Sequence, residues 1–241
     1  MRLALDLTCV AAQRSLAGGR EPDPVEVAMI GVRAGVDAIG VNMKSDRNQM
    51  GERDCVMLRD VVRAPLWLKI STSPELVKFA VSLKPATVVL LPERREELPL
   101  DDGLDVILNQ SQVRKAQSML REAGIEIVAF INPTLDQVRF CHKIDVPAVQ
   151  LNTLKYAESD REEDAVAIQE CARLARKLGM RVSAGRGLGL RHLGRIAVMP
   201  DVELVHIGRL FLAHATISGT AGAVAGLLNV IDRPPREHGG S

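Results

Sequence analysis

Arg181-Val-Ser-Ala-Gly-Arg-Gly-Leu-Gly-Leu190 is a short run of small and apolar residues that ends in glycines at 185, 187 and 189 and then opens a helical pattern. Its front half reads as a strand, and the glycines let the backbone come close to a partner before the helix begins near Leu190. A strand ending this way can offer several free N–H groups to an anion. A plain β-to-α turn uses the same residues, so the stretch alone leaves both readings open. A second unit, Glu203-Leu-Val-His-Ile-Gly-Arg209, again runs a strand into Gly-Arg and an apolar helix. Two successive strand ends late in a chain are where a (β/α)8 barrel holds phosphate.

Outward from this pair, short apolar strands alternate with longer helical patterns along the chain. Strands are predicted at 2–8, 37–43, 66–71, 86–91, 125–131, 147–152, 181–185 and 202–207. Helices are predicted near 23–35, 53–63, 74–83, 110–123, 134–144, 160–179, 190–199 and 211–231. Pro24, Pro74 and Pro133 follow capping residues as first-turn prolines, and Gly35, Gly124 and Gly179 sit where helix ends take glycine. Eight β/α units close most simply as a single-domain (β/α)8 TIM barrel over 1–232, with an open doubly wound sheet as the alternative. The tail 233–241 has no apolar face to bury and is expected to be disordered.

Alternation within the strands sorts side chains by direction. Leu3, Leu5 and Leu7 alternate with Ala4, Asp6 and Thr8; Ile39, Val41 and Met43 with Gly40 and Asn42; Leu66, Leu68 and Ile70 with Trp67 and Lys69; Val149 and Leu151 with Gln150 and Asn152. The aliphatic set should face the helices. The other set then points into the barrel, and Asp6, Asn42, Lys69 and Asn152 fall at C-terminal strand ends, the face on which barrel enzymes carry their sites. An unpartnered buried polar group costs about 1–3 kcal/mol, so such a ring needs either one another or a ligand.

Composition excludes several classes. The 241 residues are 46% hydrophobic, enough for one core, and the net charge of +1 with one Trp, one Tyr and four Phe gives no basis for nucleic-acid binding. Cys9, Cys55, Cys141 and Cys171 are scattered without a C-x-x-C pair, so no metal site and no disulfide framework is expected. No motif calls for a cofactor. With no leader pattern and no long apolar run, the expected location is the cytoplasm, away from membranes.

A set of short motifs carries a family resemblance: Pro22-Asp-Pro24, Ala34-Gly-Val-Asp37, Asp46-Arg47, Arg53-Asp54, Lys84-Pro85, Leu91-Pro-Glu-Arg94, Gly103-Leu-Asp-Val106, Ala123-Gly-Ile125, Ala184-Gly185, Gly187-Leu188 and Ile207-Gly208. Together they resemble the pyridoxine 5′-phosphate synthase family over nearly the whole chain. The resemblance implies a barrel that joins 1-deoxy-D-xylulose 5-phosphate to 3-amino-2-oxopropyl phosphate in vitamin B6 biosynthesis. It also implies a homo-oligomer built from dimers, up to an octamer.

The resemblance also puts the family's reactive positions on different residue types. Its strand-two histidine base falls on Asn42, its strand-three glutamate base on Lys69 and its strand-seven histidine acid on Arg186. Asparagine cannot carry a proton near neutral pH and arginine stays protonated. On the first strand the family's Asn, Asp and His fall on Asp6, Thr8 and Cys9, and an arginine beyond it on Ala17. Lys44 and Gln49 replace an arginine and a histidine, Pro99 or Leu100 a threonine, Gln150 and Asn152 a glutamate–histidine pair, and His206 an asparagine.

What stands there instead has its own logic. Lys44, Lys69, Arg186 and Arg209 should converge on one mouth with Asp6 as the carboxylate among them, and Gly187 and Gly208 should offer backbone N–H groups. The expected ligand is a phosphorylated small molecule held by Asn42, Lys44, Gln150, Asn152, Arg186, Gly187, Gly208 and Arg209. Lys69, Asp6 and His206 are the candidate catalytic residues: Lys69 as a free amine forming an imine with a carbonyl substrate, or as a cation that pairs with Asp6 or holds phosphate, and His206 as a proton exchanger near pH 7. Cys9 lacks a histidine partner and is not read as a nucleophile. Arg94-Arg95 and Glu96-Glu97 read as a solvated loop or lid. A divergent enzyme acting on a phosphorylated carbonyl or amino-ketone compound, a non-catalytic binder of such a metabolite, a structural partner of an active paralogue, and the unaltered family activity all remain readings of this pattern.

Overall fold

The computed structural model describes residues 1–44, 50–93 and 102–233. The expectations for Asp46, Arg47, Gln49, Arg94 to Leu100 and the tail beyond Arg233 lie outside the described residues.

Eight parallel strands, β1 (Arg2–Asp6), β2 (Ala38–Asn42), β3 (Leu66–Ser71), β4 (Thr87–Leu91), β5 (Glu126–Ile131), β6 (Ala148–Asn152), β7 (Arg181–Gly185) and β8 (Leu204–Ile207), close in chain order into a barrel. Around it run α1 (Thr8–Ala17), α2 (Pro24–Arg33), α3 (Glu52–Val61), α4 (Pro74–Leu83), α5 (Gln110–Glu122), α6 (Leu135–Lys143), α7 (Leu154–Ser159), α8 (Glu162–Lys177), α9 (Leu190–Ala197) and α10 (Arg209–Asp232). The alternation read from the strands is the sorting rule of the core. Leu3, Leu5, Leu7, Ile39, Val41, Leu66, Leu68 and Ile70 belong to the outer core between sheet and helices. Ala4, Ala38, Trp67, Val89, Val128, Phe130, Ala148 and Leu204 form a separate cluster inside the barrel. Small residues on β1, β2 and β6 make room for Trp67 and Phe130, so the lower interior is filled with side chains. The polar mouth sits on that apolar plug.

Local chemistry sets the helix ends. Asp23 accepts a hydrogen bond from the Val25 N–H (2.8 Å) ahead of Pro24, and Ser73 caps α4 ahead of Pro74. Pro133 behaves differently from the expectation. It precedes Thr134, the residue before α6, and Asn132 caps nothing there; its Oδ1 accepts instead from the Gly103 N–H (2.9 Å) and from Asn152 Nδ2 (2.9 Å).

Two helices go beyond the expected set. The chain leaves β1 two residues earlier than expected, because Asp6 Oδ1 accepts both the Thr8 N–H (3.0 Å) and the Thr8 hydroxyl (2.6 Å) and turns it into α1. Asn152 Oδ1 likewise accepts the Leu154 N–H (3.1 Å) and opens the short α7. Arg14 on α1 forms paired hydrogen bonds to Asp54 near the start of α3 (2.9 and 2.6 Å), while Asp54 Oδ2 also accepts the Gly51 N–H. Burial pushes the Asp54 carboxyl up, but the Arg14 guanidinium and the Gly51 N–H more than reverse this and hold it below its usual range.

By length and composition alone α10 is apolar enough to cross a membrane, with 24 residues and a mean hydropathy of 1.4. It is not one straight helix: Gly219 has φ 68°, ψ 168° and breaks it. Phe211, Ala223, Val224, Leu227 and Ile231 are buried, and the helix packs on α9, α2 and β1 as the last member of the outer ring.

The segment from Gly103 to Val106 shows how tightly the rim is fitted. Leu104 N–H donates to the Phe130 carbonyl (2.7 Å), and a Cβ on Gly103 would run into the backbone of Ile131 and Asn132. Gly103→Ala should therefore destabilise the fold by about 1–3 kcal/mol through overpacking. Urea denaturation should show a lower midpoint at an unchanged slope; an unaltered midpoint would mean that this segment is not held against β5 in solution.

Candidate functional site

The C-terminal ends of the strands enclose a cavity of about 270 Å³. Its polar lining comes from Asp6, Thr8, Asn42, Lys69, Gln150, Arg186, His206 and Arg209, with Gly187 and Gly208 on the rim and Leu91 and Phe130 as apolar wall. Parallel pairing fixes who meets whom. Asn42 is in register with Lys69, Asp6 with Gly40, and Gly185 with His206. A side chain at position 40 would approach His206 Nδ1 and Asp6 Oδ2, so Gly40 leaves the space between them open.

Lys69 Nζ lies 2.7 Å from Asp6 Oδ2, with side-chain exposures of 10% and 18%. The pair is an ion pair. Burial pushes the Asp6 carboxyl up, yet the charge and hydrogen bond of Lys69, with two hydrogen bonds from Thr8, outweigh burial and hold it below its usual range. Thr8 extends the pair to the next strand, because its hydroxyl donates to Asp6 and accepts the Asn42 N–H (2.8 Å).

Beside the pair, His206 packs against Trp67 with ring centroids 4.8 Å apart and ring planes tilted by 59°. Burial drives the imidazole well below its ordinary range, the Lys69 charge adds to this, and Asp6 opposes it. Burial and the Lys69 charge both favour the uncharged ring, which lies 3% exposed at the wall of the cavity. The Cys9 thiol is pushed up to about 12 by burial and by Asp6, and stays protonated.

The rim is built from β7 and β8. Arg186 follows β7 at φ 91°, a conformation that costs a non-glycine residue about 1–3 kcal/mol. Its carbonyl accepts the Thr153 hydroxyl at 2.6 Å, which helps to hold it. Gly187 (φ 76°) has no space for a side chain, since a Cβ would sit 2.9 Å from Ala157 Cβ and 3.0 Å from Leu154 Cδ1. Gly208 packs on the Asp6 backbone and precedes α10, whose first N–H groups lack intrahelical acceptors; Gly208, Arg209 and Leu210 line the mouth.

Lys44 and Asn152, expected at the site, do not line the cavity. Lys44 lies half-buried past the end of β2. Asn152 is used up structurally, joining Asn132 to the start of α7. Sequence reasoning did not include Thr8, Leu91 or Phe130 in the binding set. The alternation that selected Asp6 and Gln150 also points Phe130 and Leu91 inward, but apolar residues at strand ends carry no chemical signal by themselves.

The sequence profile described as "Pyridoxal phosphate biosynthesis protein PdxJ" matches residues 3–233. The chain is 35% identical over 237 residues to the pyridoxine 5′-phosphate synthase of Trichlorobacter lovleyi, covering 97% of this chain and 99% of that one. It is 34% identical to the enzyme of the same name from Desulfatibacillum aliphaticivorans, covering 92% and 94%. Among solved structures, the barrel is similar to KGPDC from Streptococcus mutans (TM-score 0.65, 17% identity, 97% and 98% covered) and to phosphoribosyl anthranilate isomerase from Thermotoga maritima (TM-score 0.65, 13% identity, 96% and 98% covered). At such identities the structural likeness concerns the fold alone.

The ion pair has a testable signature. Lys69→Met leaves Asp6 as an uncompensated buried carboxylate and should cost about 3–5 kcal/mol, whereas Asp6→Asn combined with Lys69→Met should recover most of the loss. The Asp6 contribution is present above the unfolded carboxyl's pKa, about 3.9, and is lost as pH falls through the lower folded value. Chemical denaturation of the wild type, of Lys69→Met and Asp6→Asn singly, and of the double variant checks both; additive losses in the double variant would contradict the pairing.

Proposed function

The chain belongs to the PdxJ family of pyridoxal phosphate biosynthesis proteins, and from that premise we propose that it binds a phosphorylated carbonyl or amino-ketone metabolite without performing the family's ring closure. The phosphate goes to the rim of Arg186, Gly187, Gly208 and Arg209, and the carbonyl oxygen toward the Lys69 ammonium. The observation that carries this reading is the 2.7 Å contact of Lys69 Nζ with Asp6 Oδ2, which engages the amine of the cup with a carboxylate. Ring closure requires groups that lift and return protons, and their pKa values need to lie near the working pH. The resemblance puts those roles on Asn42, Lys69 and Arg186, whose side chains do not serve them.

The same contact argues against imine formation. An amine nucleophile must be neutral, and Lys69 sits 2.7 Å from a carboxylate that its charge stabilises. As an ammonium it can donate a hydrogen bond to a ligand oxygen and polarise it. Recognition with polarisation fits the cup better than covalent chemistry.

Purified protein supplied with 1-deoxy-D-xylulose 5-phosphate and 3-amino-2-oxopropyl phosphate should form no pyridoxine 5′-phosphate, while inorganic phosphate should raise its melting temperature. Gly208→Val, whose side chain would press on Asp6, should remove that protection. Turnover comparable to that of an active family member, or protection unchanged in the variant, would defeat the proposal.

The homo-oligomer implied by the family belongs to the same proposal. Leu16 on α1 is 90% exposed and Ile217 on α10 is 87% exposed, on two helices that pack together. Light scattering at micromolar concentration should give a mass at least twice that of one chain; a monomer would refute it.

A further inference from the structure

The turn out of β7 is held by a hydroxyl that lies outside the cavity. Thr153, between β6 and α7, is fully buried. Its N–H donates to the Gly185 carbonyl (3.1 Å) and its hydroxyl to the Arg186 carbonyl (2.6 Å). In a planar trans peptide the C=O and the following N–H point in opposite directions. With the Arg186 carbonyl bound to Thr153, the Gly187 N–H points away from Thr153, and among the described residues it has no backbone acceptor. Gly187 itself lines the cavity. A half turn of this one peptide would change mainly ψ of Arg186 and φ of Gly187, and glycine accepts either sign of φ. The local backbone therefore does not choose between the two orientations; a partner must. Thr153 is well placed to choose, because α7 is fixed at both ends. Asn152 Oδ1 accepts the Leu154 N–H at its start, and near its end Ser159 Oγ and Lys155 Nζ each lie 2.7 Å from the Asp164 carboxylate on α8.

We propose that Thr153 is a positioning residue: its hydroxyl selects the orientation of the Arg186–Gly187 peptide in which the Gly187 N–H, and not the Arg186 carbonyl, is offered to an anion at the rim. This rests on the anion-binding reading above and adds what keeps the rim competent for it. An N–H can donate to an anionic oxygen, whereas a carbonyl in its place repels one. Valine has the shape of threonine but nothing to donate. With Thr153→Val the Arg186 carbonyl would face a methyl group, and a buried carbonyl without a partner is costly. Turning the peptide over gives that carbonyl the water of the mouth. Arg186 at φ 91° is already in a conformation that only its surroundings maintain, which favours the same release. Serine keeps the donor and so keeps the orientation. A hydroxyl that merely satisfied a turn would affect stability and leave anion affinity alone.

Isothermal titration with inorganic phosphate tests this on the wild type, Thr153→Val, Thr153→Ser and Asp23→Ala. Thr153→Val should weaken phosphate binding about tenfold or more, the loss of one hydrogen bond to a charged group, while Thr153→Ser should stay within about threefold of the wild type. Asp23→Ala removes the cap of α2, far from the rim, and should lower the urea midpoint without changing phosphate affinity. In 15N-labelled wild type the Gly187 amide resonance should move as phosphate is added and saturate with the calorimetric Kd. Wild-type affinity in Thr153→Val, or equal weakening in Thr153→Val, Thr153→Ser and Asp23→Ala, would overturn the positioning role and leave the rim reading in place. A Gly187 amide that does not respond to bound phosphate would overturn it as well, whether or not Thr153→Val folds. Failure of the wild type to bind phosphate would overturn the rim reading and this assignment together.

Discussion

The mouth of this barrel depends on the contact between Asp6 and Lys69. Removing two charges from water costs several kcal/mol per ion, and only close approach with further hydrogen bonds repays it. The 2.7 Å separation and the two Thr8 hydrogen bonds to Asp6 supply both. Through Thr8 the pair also reaches the Asn42 N–H, so the ends of β1, β2 and β3 are tied by one polar network. The consequences extend to the His206 ring tilted against Trp67, because the Lys69 charge, after burial, favours its uncharged form.

The opposite side of the mouth is shaped by backbone rather than by charge. Arg186 at positive φ and Gly187, enclosed by α7, turn the chain sharply out of β7. Gly208 lies against the backbone of Asp6, so the β8 rim and the ion pair are in contact. Arg186 and Arg209 at the rim, Gln150 and His206 deeper in the cavity and the aromatic plug of Trp67 and Phe130 make a site graded from charged to apolar over a few residues.

Much of this was legible in the sequence. Alternation in β1, β2, β3 and β6 separated the outward leucines and isoleucines from Asp6, Asn42, Lys69 and Gln150, because a period of two is a geometric property of strands. The glycine-rich exits of β7 and β8 were legible because Gly187 takes a positive φ and Gly208 lies against the Asp6 backbone, where a side chain would crowd. Helix α1 was not, since Thr8-Cys-Val-Ala-Ala continues an apolar run and the signal that turns it is a side-chain bond made by Asp6. Asn152 showed the limit of parity. Its position resembled that of Asn42, but the partner that claims it, Asn132, is twenty residues away in the chain and adjacent only in the fold. Ionisation was the least legible feature. Whether Lys69 is an amine or an ammonium, and whether His206 titrates near neutrality, turns on distances of a few ångströms and on enclosure, neither of which is written in residue order.

The central claim is that Lys69 is a paired cation rather than a nucleophile. Incubation with pyridoxal 5′-phosphate at pH 7, reduction with borohydride and mapping of the label by mass spectrometry tests it directly. The ion pair predicts label spread over exposed lysines with none preferred at Lys69, and no change in the pattern for Lys69→Met. Stoichiometric label at Lys69, lost in that variant, would contradict it and return the site to imine chemistry.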